Sequence, residues 1–473
     1  MYKVEYPLNC IFSSTYHPYF LLFFLYFGIY KRLQLCFLHM IGLYLCRIIV
    51  NIAAVCGGSE VFMKVNGIVA EYNPFHNGHK YQLDVSRRTT DADYTIVVLS
   101  GDFVQRGAPA LLGKHRRAEM ALKCGADLVL ELPAIYSVSS AEYFSMGAVS
   151  MLDKLKVVTH LCFGSECGNV EIMTKVAEIL LKEPESFSAS LRKYMKQGVS
   201  YPNARNWAMF DHYPFLEAHK DVFSTPNNIL GIEYIKALLR RNSEMTPVTV
   251  RRTGAGYHDR MTDTEYCSAL ALRQALYAGQ TPDFVKTQMP MEAWQILQQS
   301  LEDSSIICSN DFSDLLYYKL LLERETGYQK YLDVSDDLSD RIRNHLDSYR
   351  DFDNFCNLLK TKNMTYTRIS RCLFHILLNI KKNDVEFCKR LDYAPYARVL
   401  GMRKEAHELL SANKEQSAIP LVTKLADAEK SLTADARHML AQDILISQIY
   451  RSVAPHFKER KVVSEYSIPV VTL

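Results

Sequence analysis

A chain of 473 residues with 48% hydrophobic and 23% charged side chains has room for two or three globular domains and a sizeable core, which excludes a disordered or fibrous protein. Its formal charge of +3 is too small to attract a nucleic acid by net field, so any such partner has to be argued from local clusters. Of the twelve cysteines, Cys10, Cys36, Cys46 and Cys56 precede residue 63 and the rest form no CxxC pair, which points to reduced thiols, a cytosolic location and no structural zinc.

Residues 1–62 differ in character from the rest of the chain. Tyr19 to Tyr30 is nearly pure apolar and aromatic, Lys31 and Arg32 interrupt it, and Leu35 to Cys46 is a second apolar run. Each run is shorter than the roughly 20 residues that span a bilayer, and no short basic region like that of a secretory signal precedes the first. Ala53-Ala54-Val55-Cys56 weakly resembles a lipoprotein cleavage site. Met63, however, is succeeded at once by a strand pattern and a phosphate-loop motif. We therefore expect the native protein to begin at Met63, with residues 1–62 an N-terminal extension; a membrane-associated hairpin is the second reading, and membrane contact is not expected.

From Val65 onward short apolar runs alternate with helical segments, the pattern of a parallel sheet covered by helices. Strands are predicted at Val65 to Glu71, Tyr94 to Ser100, Leu128 to Leu132 and His160 to Phe163, with helices near His79 to Ser86, Lys114 to Lys123 and Ala141 to Leu155. After a helical excursion around residues 170–240, a strand at Val248 to Arg251 and a helix at Ser268 to Leu276 complete a domain spanning 63–279. Residues 280–473 read as a mainly helical second domain. The fold class is thus α/β, a Rossmann-like parallel-sheet domain followed by helices. Charge is segregated in the second half: residues 302–353 carry 13 acidic side chains, whereas 355–404 carry 11 basic and 3 acidic ones.

The first strand runs into Val69-Ala70-Glu71-Tyr72-Asn73-Pro74-Phe75-His76-Asn77-Gly78-His79-Lys80-Tyr81-Gln82. Two imidazoles separated by Asn-Gly lie on one side of a helix N-terminus, where backbone N–H groups and the helix dipole attract anions. There His76 and His79 can donate hydrogen bonds to phosphate oxygens as charge builds on them. A second cluster comes after the next strand. In Ser100-Gly101-Asp102-Phe103-Val104-Gln105-Arg106-Gly107, Asp102 and Gln105 could orient a small substrate or a metal-bound pyrophosphate, and Arg106 could hold a carboxylate or phosphate. Gly164, Asn227-Asn228, Arg251-Arg252 and the stretch Ser268 to Arg273 are weaker candidates for nucleotide contacts. No cluster reads as a resident metal site, although Mg²⁺ is expected to accompany a triphosphate.

The HxGH turn resembles that of the nucleotidyltransferase superfamily. In combination, GIVAEYNPFHNGHKYQL, SGDFVQRGAPA, RAEMALKCGADLVLELP, FGSE, PNNILGIEY and TYTRISR resemble the tRNA(Met) cytidine acetate ligase family from Met63 to roughly the C-terminus. The resemblance implies an enzyme that activates acetate with ATP as acetyl-adenylate and acetylates the wobble cytidine of elongator tRNA(Met). It implies ATP contacts from Val69 through Gln82 and from Gly164, Asn228, Arg251, Arg252 and Arg273, with His76, His79 and Asp102 as catalytic groups. Leu270 stands where the superfamily signature has threonine, so a hydroxyl contact is not expected there.

The basic stretch would then hold the tRNA anticodon loop through Lys360, Lys362, Arg368 and Arg371, the last two being three residues apart on one helical face beside Tyr366 and Phe374 as stacking aromatics. No protein partner is implied. Two other readings stay open: a small-molecule adenylyltransferase of the nicotinamide-mononucleotide or pantetheine-phosphate type, and a non-catalytic RNA-binding protein. The first has no need of the helical extension, and the second has no need of both histidines.

Overall fold

The structure is a computed structural model that describes residues 63–199, 201–223, 225–252, 267–279, 282–303, 306–454 and 463–473. The expectations for residues 1–62 lie outside the described residues. Residues 63–473 form one compact unit.

Five parallel strands make the centre of the sheet: β1 (Val65–Ala70), β2 (Tyr94–Ser100), β5 (Leu128–Leu132), β6 (His160–Ser165) and β7 (Thr246–Arg251). Between β2 and β5 lies a short antiparallel hairpin of β3 (Phe103–Val104) and β4 (Ala108–Pro109). The strand order β5-β2-β1-β6-β7 places β1 between β2 on one side and β6 on the other. The chain therefore reverses its direction of winding at β1, and a crevice opens between the carboxyl ends of β1 and β6.

Alternate side chains of the strands feed two cores. Val98 and Leu130 point into one, which contains the helices Ala141–Leu155 and Pro226–Arg241. Val97, Leu99 and Val129 point into the other, with Leu83 of the helix Asn77–Thr90 and Ala118 and Leu122 of the helix Lys114–Lys123. A strand buried on both faces has no polar positions to spare, so these runs were legible as continuous apolar stretches.

The part after residue 279 is largely helical, but it also supplies strands to the sheet. β8 (Ala397–Met402) pairs antiparallel with β5, and β9 (Leu421–Val422) and β10 (Val471–Thr472) pair with β8. The helical expectation for this stretch is corrected to that extent. Short strands such as Leu421–Val422 carry no readable period, and only their pairing with β8 identifies them. No helix among the described residues is long and apolar enough to cross a membrane.

Candidate active site

The helix Asn77–Thr90 begins where the chain leaves β1, and its two histidines form a reciprocal cap. His76 Nδ1 accepts the Gly78 N–H at 3.0 Å, and His79 Nδ1 accepts the His76 N–H at 3.3 Å. These bonds satisfy N–H groups that a helix start leaves without partners. Because both Nδ1 atoms accept, each neutral ring carries its proton on Nε2. The rings stack with centroids 3.7 Å apart. Burial, reinforced by Arg252 and Arg273, pushes the His76 pKa down to about 3. Burial together with His76 and Arg252 holds His79 well below its ordinary value. Both rings are therefore neutral N–H donors at physiological pH.

The loop before them is held from behind. Tyr72, Asn73, Pro74 and Phe75 are buried. Asn73 Oδ1 accepts the Leu111 N–H at 2.7 Å, and the Asn73 carbonyl accepts from the Arg273 guanidinium. Ser268 caps the helix Ala269–Tyr277 that carries Arg273, its side chain accepting the Ala271 N–H at 3.2 Å. Fully buried Arg117 donates to the carbonyls of Glu71 at 2.7 Å and Ser100 at 3.0 Å, and also to that of Gly101. One guanidinium thus ties together the carboxyl ends of β1 and β2. Its segment, RAEMALKCGADLVLELP, suggested a family but no role for the arginine.

In front of the loop lies a cavity of about 390 Å³, of a size for a nucleotide-like ligand. Val69, Ala70, Glu71, His79, Gln82, Gln105, Arg106, Gly164 and Arg252 line it, so these sequence candidates converge. The Gln105 N–H donates to Glu71 Oε1 at 2.9 Å, which fixes the GDFVQRG loop against the end of β1. At Gly164 a Cβ would make only ordinary contacts, 3.5 Å to the Arg252 side chain, so the protein's own packing does not demand glycine there.

Other candidates sit elsewhere. Asp102 does not line the cavity; its Oδ1 accepts the Lys114 N–H at 2.9 Å at the start of the helix Lys114–Lys123. Asn228 is buried and its Oδ1 accepts the N–H groups of Glu166 at 2.9 Å and Cys167 at 3.1 Å, while Asn227 lines the cavity. Arg251 packs over Gly168, where a Cβ would come within 2.8 Å of its side chain. Asn77 bonds to the turn at Thr287 and Gln288, and Lys80 pairs with Asp84 at 2.5 Å.

Sequence reasoning missed the apolar wall of Ala141, Phe144, Phe163, Pro226, Ile229, Leu230 and Tyr234. PNNILGIEY contained four of these residues, but there only its asparagines drew attention. It also missed Thr367, which reaches the cavity from the first turn of the helix Tyr366–Leu377. That helix packs on the β3–β4 hairpin, with Ser370 Oγ donating to the Gly107 carbonyl.

The basic stretch divides. Lys360, Lys362 and Arg368 are exposed, but Arg371 is largely buried against Gly107 and Arg398 is enclosed in the sheet. The expected stacking aromatics are corrected. Phe374 is fully buried against Phe103 and Phe352, and the Tyr366 hydroxyl donates to Asp353 at 2.5 Å. Both face inward because the helix needs its apolar stripe for the core.

The HIGH Nucleotidyl Transferase family matches residues 63–465. The tRNA(Met) cytidine acetate ligase of Halothermothrix orenii is 40% identical over 424 residues, covering 86% of this chain and 99% of the relative. The chain belongs to the tRNA(Met) cytidine acetate ligase family. It is accordingly a ligase with a nucleotidyltransferase domain. The enzyme of the same name from Thermoanaerobacter sp. is 38% identical, covering 82% of this chain and 95% of the relative. Among solved structures, apo TmcAL of Thermotoga maritima superposes with a TM-score of 0.81 at 31% identity, covering 87% of this chain and 100% of that one. The same Thermotoga protein bound with alpha-thio ATP gives 0.80 at 30% identity, with coverage of 87% and 99%. These relatives do not favour the small-molecule adenylyltransferase reading.

Proposed function

We propose that this chain joins acetate to ATP as acetyl-adenylate and passes the acetyl group to the wobble cytidine of elongator tRNA(Met), giving N4-acetylcytidine. The observation that carries the reading is the neutral Nε2–H donor of His79 in the wall of a cavity at the β1/β6 switch point, backed by the stacked and buried ring of His76, in a chain whose structural relative was crystallised with alpha-thio ATP. An acetate oxygen attacks the α-phosphorus and pyrophosphate leaves. The cytidine N4 then attacks the acetyl carbon, AMP leaves and N4 gives up a proton. The anhydride is needed because acetate is a poor electrophile and the exocyclic amine, delocalised into its ring, a poor nucleophile.

In the first step the two imidazoles stabilise charge growing on phosphate oxygens without becoming acids themselves. Arg106 and Arg252, both lining the cavity, offset the triphosphate. Glu71 is the one acidic residue in the described lining, and a magnesium ion held by one carboxylate, phosphates and water fits such a site. The apolar wall suits adenine. Residues 63–279 carry out activation in this reading, and 280–473 hold the anticodon loop through Lys360, Lys362 and Arg368, with Arg371 bracing the loop behind them. We place the protein in the cytosol, where tRNA and reduced thiols coexist; the eight described cysteines are all unpaired.

The test is ATP–pyrophosphate exchange with and without acetate, together with nucleoside analysis of tRNA(Met) incubated with the enzyme. Acetate-dependent exchange and N4-acetylcytidine are expected. Exchange independent of acetate, or unmodified tRNA, refutes the reading.

A further inference from the structure

A second cavity of about 370 Å³, nearly as large as the first, is lined by residues to which the proposed chemistry gives no role. It lies at the same level of the sheet. Cα partners run in one row from Ala70 of β1 to Leu99 of β2, Glu131 of β5, Arg398 of β8 and Val422 of β9. Ala70 lines the nucleotide cavity at one end of this row, and Arg398 and Val422 line the second cavity at the other. Three inter-strand steps separate Ala70 from Arg398, roughly 15 Å at the usual spacing. The row that meets the nucleotide cavity at Ala70 therefore meets the second cavity at Arg398 and Val422, so the two lie within reach of a few nucleotides of one RNA strand.

The walls differ in chemistry from those of a structural void. The polar lining consists of His115, Arg398, Lys424, Thr423, Ser467 and Tyr466, with no acidic side chain among the described lining residues. The floor is preorganised. Arg398 is buried between Glu131 at 2.8 Å and Glu465 at 2.6 Å, and Lys114 bridges the same two carboxylates at 2.7 and 2.8 Å. The rim is exposed. Tyr466 is 57% exposed although it is a large aromatic, and the Lys424 side chain is 71% exposed, with a long 3.9 Å contact to Asp427 as its ion pair among the described residues. An exposed ring beside an apolar wall suits a base, hydroxyls suit a ribose, and a lysine at the mouth suits a phosphate.

We infer that this second cavity takes an unpaired nucleotide of the RNA substrate, stacked on Tyr466 with its phosphate at Lys424, a few nucleotides along the strand from the cytidine in the activation cavity. The inference rests on the reading of the chain as a tRNA-acetylating ligase. A free nucleotide is the weaker fit, because Tyr466 and Lys424 stand at an open rim suited to a strand that continues past them.

The experiment uses the full chain with the anticodon stem-loop of elongator tRNA(Met) as probe and compares Tyr466→Ala, Tyr466→Phe and Lys424→Ala. Tyr466→Ala should weaken RNA binding about tenfold, the effect of one lost base stack, and Tyr466→Phe should bind as the wild type does. Lys424→Ala should weaken it a few-fold and lower the log–log salt slope by just under one. Acetate-dependent exchange should be unchanged in all three. Unchanged RNA affinity in Tyr466→Ala and Lys424→Ala overturns the inference, as does a parallel loss of exchange, which makes Tyr466 a support of the fold. Weakened binding of free AMP with unchanged RNA affinity also overturns it, making the cavity a small-molecule site. Failure of the ligase reading itself is separable, since it shows in the wild-type chain as unmodified RNA.

Discussion

His79 Nδ1 accepts the backbone N–H of His76, so the imidazole that lines the cavity also helps to start the helix behind it, with buried His76 stacked against it. Structural and chemical roles therefore sit on different nitrogens of the same rings. The variants His76→Asn and His79→Asn keep a side-chain acceptor near the place of Nδ1 but are too short to put an N–H where Nε2 stood. Each should reduce adenylate formation on the order of 10²-fold with little change in stability. The alanine variants should in addition lose about 1 kcal/mol of stability. Near-normal exchange in the two Asn variants would leave the histidines as caps alone.

The acid response of stability arises at the same site. His76 titrates at about 3 in the folded chain because of burial and the nearby arginines, against an ordinary value near 6.5 when unfolded. Between these values the unfolded chain binds the extra proton. The contribution of the neutral ring is full above pH 6.5 and is lost as pH falls toward 3. In urea unfolding at pH 7, 6, 5 and 4, the wild type should lose stability relative to His76→Asn as pH drops. A constant difference would mean that His76 is not held neutral.

Gly107 joins the two halves of the site. Its φ is +69°, and a Cβ there would fall 2.4 Å from the Arg371 backbone nitrogen. Gly107→Ala should therefore cost more than 1 kcal/mol and, by shifting Gln105 and Arg106, lower acetate-dependent exchange as well. Arg368 is exposed and Arg371 is not. Arg368→Ala should weaken tRNA binding with a smaller salt dependence and leave exchange intact, whereas Arg371→Ala should impair both. Equal behaviour of the two arginine variants would contradict this division.

Asp102 and Lys114 belong to the buried ionic cluster rather than to the cavity wall. Asp102→Asn keeps an acceptor for the Lys114 N–H and should retain activity within a few-fold; a loss near 10²-fold would restore a catalytic role. Lys114→Met leaves Glu131 and Glu465 short of a cation in a closed interior. It should destabilise by about 3–5 kcal/mol, read by urea denaturation.

Much of this was legible in the sequence because it is local. The central strands announce themselves as apolar runs, the helix Lys114–Lys123 falls within its predicted bounds, and the HNGH turn comes directly after its strand. The turn carries its own capping chemistry, so two histidines spaced by Asn-Gly define a helix start whatever packs around them. What tertiary structure decided is non-local. Thr367 meets a cavity whose other walls lie more than a hundred residues away in the chain, and Arg398, which reads as part of a basic surface patch, is drawn inside by Glu131 and Glu465. The spacing of Arg368 and Arg371 predicts a common helical face but not that Gly107 packs against one of them. A sequence states which charges a segment carries. Whether each faces water, a ligand or a buried partner is set by the desolvation that other segments impose when the chain closes over it.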